Sequence, residues 1–315
     1  MRLLASYSFV RGFNYQPSVA SHGIDIWGPK FDAAVVEREL GLGKKHFPKF
    51  NTVRIWLSHD AFIADPQSLI RHFGQVMDIC GRLGLAVVPV LFNGWHTYPD
   101  FGGISVEQIG HFSGERFTLF EEYLAAVVGL YAGDQRILLW DLCNEPFNNA
   151  REGGPMDAVA GWLERIYRVC KELDADIPMC VGNAPNPEQI RRSESVSDVI
   201  TFHPYFAWNA WVPTSAEFVA VVDWTVDFAR QAGKALLVTE TGWGALDDRK
   251  RAETLTVELN ELARREIGFI VHLLHHTPVA DGHRPGCGPI TQAGYMAFVE
   301  ADGSLRPHHE VFNAF

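Results

Sequence analysis

The amino-acid sequence predicts an α/β protein, a (β/α)8 (TIM) barrel folded as a single domain over residues 1–315. Three observations carry that expectation. Short runs rich in Val, Ile and Leu do not alternate with polar residues, which marks strands buried on both faces, as in a parallel sheet. Amphipathic stretches separate those runs, the pattern of strands alternating with helices. The runs number eight, enough to close such a barrel. The chain is longer than the roughly 250 residues typical of the fold and within its range.

In chain order the expected strands are Ser8 to Asn14, Thr52 to Leu57, Ala86 to Phe92 and Ile137 to Cys143. The second half supplies Met179 to Gly182, Val199 to His203, Ala235 to Glu240 and Gly268 to Leu274. Helix start signals lie between them. Asp65 before Pro66 reads as an N-cap with proline at the first helical position, opening a helix to about Leu83. Ser113 is placed to cap a helix running through Tyr123 and Val128. Thr214 with Glu217 forms a T-x-x-E capping box before Phe218 and Val222. Leu255, Leu259 and Leu262 recur at helical spacing within Glu253 to Glu266. The tail from Tyr295 predicts a turn at Asp302-Gly303 and then a closing helix. Two long connections, Asn93 to Phe112 and His276 to Gln292, are of a length more often functional than idle.

The bulk properties exclude several function classes. A net charge of −11 disfavours nucleic acid, which demands clustered Lys and Arg, and equally an anionic membrane surface. No apolar stretch approaches the roughly 20 residues that cross a bilayer. The five cysteines (Cys80, Cys143, Cys170, Cys180 and Cys287) form no C-x-x-C pair, so free thiols in a reducing compartment are expected rather than a disulfide framework. The N-terminal MRLLASYSFVRGFNY is too short in its apolar part for a signal peptide. A cytoplasmic protein is expected, with secretion after removal of a leader as the alternative.

In a barrel of this kind the strands' C-terminal ends form the active face. The side chains there are Asn14, Arg54, Asn93 with Trp95 and His96, Asn144 with Glu145, Asn183, His203 with Tyr205, and Glu240 with Trp243. Two segments dominate: ILLWDLCNEPFN puts Asn144-Glu145 at the end of the fourth run, and ALLVTETGWG puts Glu240 at the end of the seventh. Glu240 alone could simply cap the next helix. With Glu145 at the matching place on the fourth strand, the pair points to two-carboxylate chemistry. Asp141 lies inside a strand and reads as structural.

With these residues the chain resembles family 5 of the glycoside hydrolases and the wider clan A of retaining (β/α)8 glycosidases. The clan carries its acid/base in an Asn-Glu pair after the fourth strand and its nucleophilic Glu after the seventh. RGFNY, NTVRIWL and TFHPYF are similar to the first, second and sixth strands of that family. The resemblance implies hydrolysis of β-linked glucan or mannan (oligo)saccharides by double displacement. That chemistry takes two carboxyl groups about 5–5.5 Å apart, one protonated and one ionised at rest. It implies Glu240 as nucleophile, hydrogen-bonded by Arg54 and Tyr205, and Glu145 as acid/base with His203 beside it. Asn144 would bind the sugar 2-hydroxyl, and Asn93 and His96 would belong to the same subsite. Trp95, Trp208, Trp211 and Trp243 fall in loops on the active face and suit the flat faces of sugar rings, whereas Trp56, Trp140, Trp162 and Trp224 are assigned to strands and helices.

One departure stands out. The family's eighth strand usually ends with a tryptophan; here the segment reads GFIVHLLHHTPV, leaving Leu274, His275 or His276 for that region. No cofactor is implied and no metal is expected, since the histidines lack carboxylate partners at zinc-ligand spacing. The alternative function is a carbohydrate-binding or transglycosylating barrel of the same family. The expected partner is a saccharide substrate; the oligomeric state stays open.

Overall fold

Eight parallel strands pair in chain order, and the eighth returns to the first to close a barrel. They are β1 (Arg11–Tyr15), β2 (Thr52–Trp56), β3 (Ala86–Val90), β4 (Trp140–Asn144), β5 (Met179–Asn183), β6 (Val199–Phe202), β7 (Ala235–Val238) and β8 (Gly268–Val271). The structure is a computed structural model, and it describes residues 3–95, 115–148, 156–206, 214–242, 244–278 and 295–315. All eight expected runs form strands. β1 starts at Arg11 rather than Ser8, β4 starts at Trp140 with Ile137 making only an isolated bridge to Val87, and β8 stops at Val271.

Alternation along each strand sorts its side chains into two cores. On β2, Val53 and Ile55 face the helices, whereas Arg54 between them faces the barrel axis. The lower interior is apolar, filled by Val88, Leu139, Cys180, Val199, Leu237 and Ile270, and closed from below by Tyr7 and Val10. Towards the strands' C-terminal ends the interior turns polar, with Asn14, Arg54, Asp141, Thr201 and His203 all fully buried. That change of character along the axis puts the chemistry at one end of the barrel.

The helices obey their start signals. Pro66–Leu83 is capped by Asp65, whose side chain accepts from the Ser68 N–H, and Gly84 ends it in the left-handed conformation at φ 65°. Ser215–Ala232 carries the full Thr214/Glu217 capping box. The helix expected from Glu253 begins earlier, at Asp248, because Asp247 caps it, and it ends at Ala263. Glu115–Leu124 is helical, but Ser113 lies outside the described residues. The chain closes in a short 3-10 helix, His309–Ala314, after the expected turn at Gly303 (φ 85°). Helices over Ala33–His46 and Met156–Leu173 add to the outer layer. Among the described residues, no helix is long and apolar enough to cross a membrane. Cys80, Cys143, Cys170 and Cys180 are buried free thiols; Cys287 lies outside the described residues.

Candidate active site

The site grows from Arg54. Its Nε and Nη2 donate to one oxygen of Asp141 on β4 at 3.0 and 2.8 Å, and the other Asp141 oxygen accepts from the Gly182 N–H on β5 at 3.1 Å. Nη1 donates to Asn14 Oδ1 at 2.9 Å and to Glu240 Oε1 at 2.5 Å, and Nη2 also donates to Asn144 Oδ1 at 2.8 Å. Burial by itself would lower the pKa of the guanidinium, but the charges of Asp141 and Glu240 outweigh it and raise the pKa instead. Arg54 is therefore a fixed cation.

Glu240 follows β7 and is 7% exposed. Its second oxygen accepts from the Tyr205 hydroxyl at 2.7 Å. Burial would push this carboxyl's pKa up; His203, Arg54 and His272, together with the Tyr205 hydrogen bond, override that and hold it at about 2. Burial and the neighbouring Glu240 charge push the Tyr205 phenol well above its ordinary range, so it stays a donor.

Glu145 sits immediately after β4 with φ 46°, in the left-handed region. A side chain other than glycine pays roughly 1–3 kcal/mol there, so the surroundings must hold it. They do so at three points. The Glu145 N–H donates to Gly182 O at 2.6 Å, Oε1 lies 2.8 Å from His203 Nδ1, and Oε2 accepts from the Asn148 amide. The other His203 nitrogen lies 3.1 Å from the Thr239 hydroxyl, fixing the ring between the two carboxylates. One oxygen or nitrogen from each of Glu145, His203 and Glu240 lies within 4.8 Å of the others. Such a trio has the donor types for an ion, but Glu240 already receives Arg54 and Tyr205, and a guanidinium beside it opposes a second cation.

Of the expected site residues, Arg54, Asn93, Asn144, Glu145, His203, Tyr205 and Glu240 converge. Asn93 accepts from Asn144 Nδ2 at 2.9 Å and from the Trp95 N–H at 3.0 Å. Trp95 is 39% exposed, at the rim rather than in the polar cluster. His96, Trp208, Trp211 and Trp243 lie outside the described residues.

Two expectations need correction. The residue that follows β8 and faces the site is His272, not Leu274, His275 or His276: its ring meets Trp56 edge-on at 5.9 Å, and it is among the groups that lower the Glu240 pKa. His275 turns instead towards Glu39, 3.6 Å away. Trp56 is not merely strand core, for the Arg54 guanidinium lies over its ring at 4.8 Å. The signal was in the sequence: Arg54 and Trp56 are two apart on one strand and so share a face. Asn14, expected on the active face, is there as the partner of Arg54, whereas Asn148 and Thr239 were not expected as site partners.

Gly182 is required by close approach. A Cβ there would fall 2.9 Å from His203 Nε2 and 3.1 Å from both Arg54 Nη2 and Asp141 Oδ2.

Residues 14–276 match Cellulase (glycosyl hydrolase family 5). Curated relatives include a probable mannan endo-1,4-beta-mannosidase A of Aspergillus clavatus, 22% identical over 123 residues, 36% of this chain and 32% of that one. A probable mannan endo-1,4-beta-mannosidase F of Aspergillus flavus is 25% identical over 36% of this chain and 25% of its own. The matched segments thus span a third or less of those relatives. Among solved structures, GH5_18 from Streptomyces cattleya in complex with GlcNAc aligns over 96% of this chain and 78% of its own, with a TM-score of 0.74 at 17% identity. A beta-glucuronidase of Faecalibacterium prausnitzii aligns over 97% of this chain and 48% of its own, with a TM-score of 0.65 at 14% identity. The family match runs from Asn14, near the end of β1, past the end of β8 and takes in every residue of the polar cluster, so the chain belongs to glycosyl hydrolase family 5.

Proposed function

We propose that this protein is a retaining β-glycoside hydrolase acting on β-linked glucan or mannan oligosaccharides through a covalent glycosyl-enzyme. The observation that carries the reading is the pair Glu145 and Glu240, with an oxygen of each within 4.8 Å of the other and with different hydrogen-bond donors, Asn148 on Glu145 and Arg54 and Tyr205 on Glu240. That spacing suits the roughly 5–5.5 Å of a retaining pair better than the roughly 6.5–9.5 Å that leaves room for an inverting water.

In the first step a Glu240 oxygen attacks the anomeric carbon while Glu145 gives its proton to the glycosidic oxygen, which leaves with the aglycone. Arg54 and Tyr205 keep Glu240 ionised and aimed. In the second step Glu145, now a carboxylate, takes a proton from water as that water attacks the anomeric carbon and Glu240 departs. His203 stands between the two carboxylates and orients Glu145 through both steps. Asn144 keeps one amide N–H beyond its bond to Asn93 and suits a sugar hydroxyl beside the anomeric carbon. Both carboxylates are present and supported, which favours turnover over binding alone. The glucan or mannan assignment rests on the family's name and on relatives described as mannan endo-1,4-beta-mannosidases, and on a complex of the Streptomyces cattleya protein with Manβ1-4GlcNAc.

The test incubates wild type, Glu145→Ala and Glu240→Ala with aryl β-glucoside, β-mannoside, β-cellobioside, β-mannobioside and β-galactoside, following released phenol. Turnover by wild type, its loss in Glu240→Ala, and rescue of Glu145→Ala by azide as a β-glycosyl azide are expected. Wild-type rates in both variants would overturn the assignment.

A further inference from the structure

Gln16, the residue after β1, has no part in the chemistry described above, yet it is only 3% exposed. Among the described residues nothing donates a hydrogen bond to its buried Oε1. A buried carbonyl oxygen without a donor is costly, and a native fold keeps one where an outside group supplies the donor.

Alternation along the chain gives its direction. Asn14 points inward, donating to Thr239 O at 3.0 Å and accepting from Arg54. Tyr15 points outward, its hydroxyl donating to Glu39 at 2.7 Å on the Ala33–His46 helix. Carried one residue past the end of β1, the same alternation directs Gln16 inward, and Pro17 after it favours the extended backbone this takes. Asn14 pairs with Arg54 and Tyr15 with Ile55, and that register carried one residue further sets Gln16 level with Trp56. The ring contact between Trp56 of β2 and His272 after β8 spans the sector of the mouth to which β1 belongs. That sector adjoins β7, which carries Glu240, and lies across the barrel from β4, which carries Glu145.

We propose that Gln16 sets specificity for the glycone, its amide oxygen accepting a hydrogen bond from a hydroxyl remote from the anomeric carbon, so that the sugar bound there is a neutral hexopyranosyl unit. The inference rests on the retaining β-glycosidase reading, which puts the leaving group on the Glu145 side and the transferred sugar on this one. An acceptor oxygen selects an O–H group; a sugar carboxylate at that point would offer no donor and would stand near Glu240.

The test uses the aryl β-glycoside that wild type turns over, with its 3-, 4- and 6-deoxy analogues, against wild type and Gln16→Met. The Met side chain keeps the length and removes the acceptor. In wild type one analogue should lose about tenfold or more in kcat/KM, the measure of one lost hydrogen bond. In Gln16→Met the parent glycoside should fall by the same factor and that one deoxy penalty should vanish, while the others persist. Equal penalties in both proteins would overturn the proposal and leave the glycosidase reading standing. So would a wild type indifferent to every deoxy position, a result that needs no variant to fold. Absence of turnover by wild type across the aryl panel would instead strike the glycosidase reading first, and the Gln16 assignment with it.

Discussion

Arg54 and Asp141 form an ion pair in which both side chains are fully buried, with two guanidinium nitrogens on a single carboxylate oxygen at 3.0 and 2.8 Å. The second Asp141 oxygen is tied to the backbone N–H of Gly182. A relay therefore runs from the β5 backbone through Asp141 and Arg54 to Glu240, and each link fixes the next. A buried pair of this kind is weak evidence of added stability; what it fixes here is direction, since Asp141 holds two Arg54 nitrogens and is itself tied to Gly182.

Asp141→Ala is accordingly expected to lose about 3 kcal/mol of folding stability: Arg54 keeps Glu240 as counter-ion, but its buried Nε–H and the Gly182 N–H lose their acceptor. Urea denaturation measures it. Activity should fall further than occupancy of the folded state explains, because the Arg54 fork loses two of its anchors, and Asp141→Asn should restore part of both. A variant with wild-type stability and rate would show that the relay does not orient the site.

The strands of the barrel are legible because parallel strands covered on both faces read as plain apolar runs, as at Ala86–Val90 and Ala235–Val238. The polar residues that end them stood out for the same reason. Asp141 was harder. Its setting inside a strand marks it as structural, and only the folded register brings it against Arg54, 87 residues away. Asn148 and Thr239 carry no such signal, since an Asn in a loop and a Thr beside a Glu are commonplace. The residue after β8 that faces the site, His272, lies a few positions before the expected Leu274 to His276 because β8 stops at Val271, and an apolar run with histidines at its end does not mark its own boundary.

Tyr205→Phe tests how Glu240 is kept ionised. The nucleophile acts as a carboxylate, so activity fails as pH drops through its pKa, which is held at about 2 against burial by His203, Arg54, His272 and the Tyr205 hydroxyl. Removing that hydroxyl raises the pKa, and the acid limb of the kcat/KM profile should move to higher pH. Stability follows the same sign. A carboxyl lowered from 4.5 to about 2 on folding contributes stability that is full above the unfolded value and is lost as pH falls from about 4.5 towards 2. In the variant that window should narrow. An acid limb that stays in place, or moves down, would mean the hydroxyl does not stabilise the charge.

Gly182→Ala probes the packing of the relay. The added methyl group would press on His203, Arg54 and Asp141 at once, all of them fully buried. Overpacking of a filled interior costs roughly 1–3 kcal/mol, and here the atoms that must give way are the ones that aim both carboxylates. Thermal unfolding should show a modest drop, while kcat at saturating substrate should fall by about tenfold or more, the effect of misplacing reacting groups by a fraction of an ångström. A variant that lost stability but kept its turnover number would place the strain elsewhere.

Asn148→Ala separates the acid/base from the nucleophile. Its amide donates to Glu145 Oε2, while His203 faces Oε1, so the two together hold a carboxyl whose backbone lies in the left-handed region. Loss of Asn148 leaves Glu240, Arg54 and Tyr205 untouched and frees Glu145 to turn about its remaining contact. General acid assistance contributes typically 10²–10⁴-fold when the leaving group is poor, and little when it departs unaided. The variant should therefore lose about tenfold or more in kcat/KM on aryl glycosides with weakly acidic phenols and almost nothing on a dinitrophenyl glycoside, with a steeper dependence on leaving-group pKa. Uniform loss across the whole series would identify Asn148 as a general structural support rather than the residue that positions the acid.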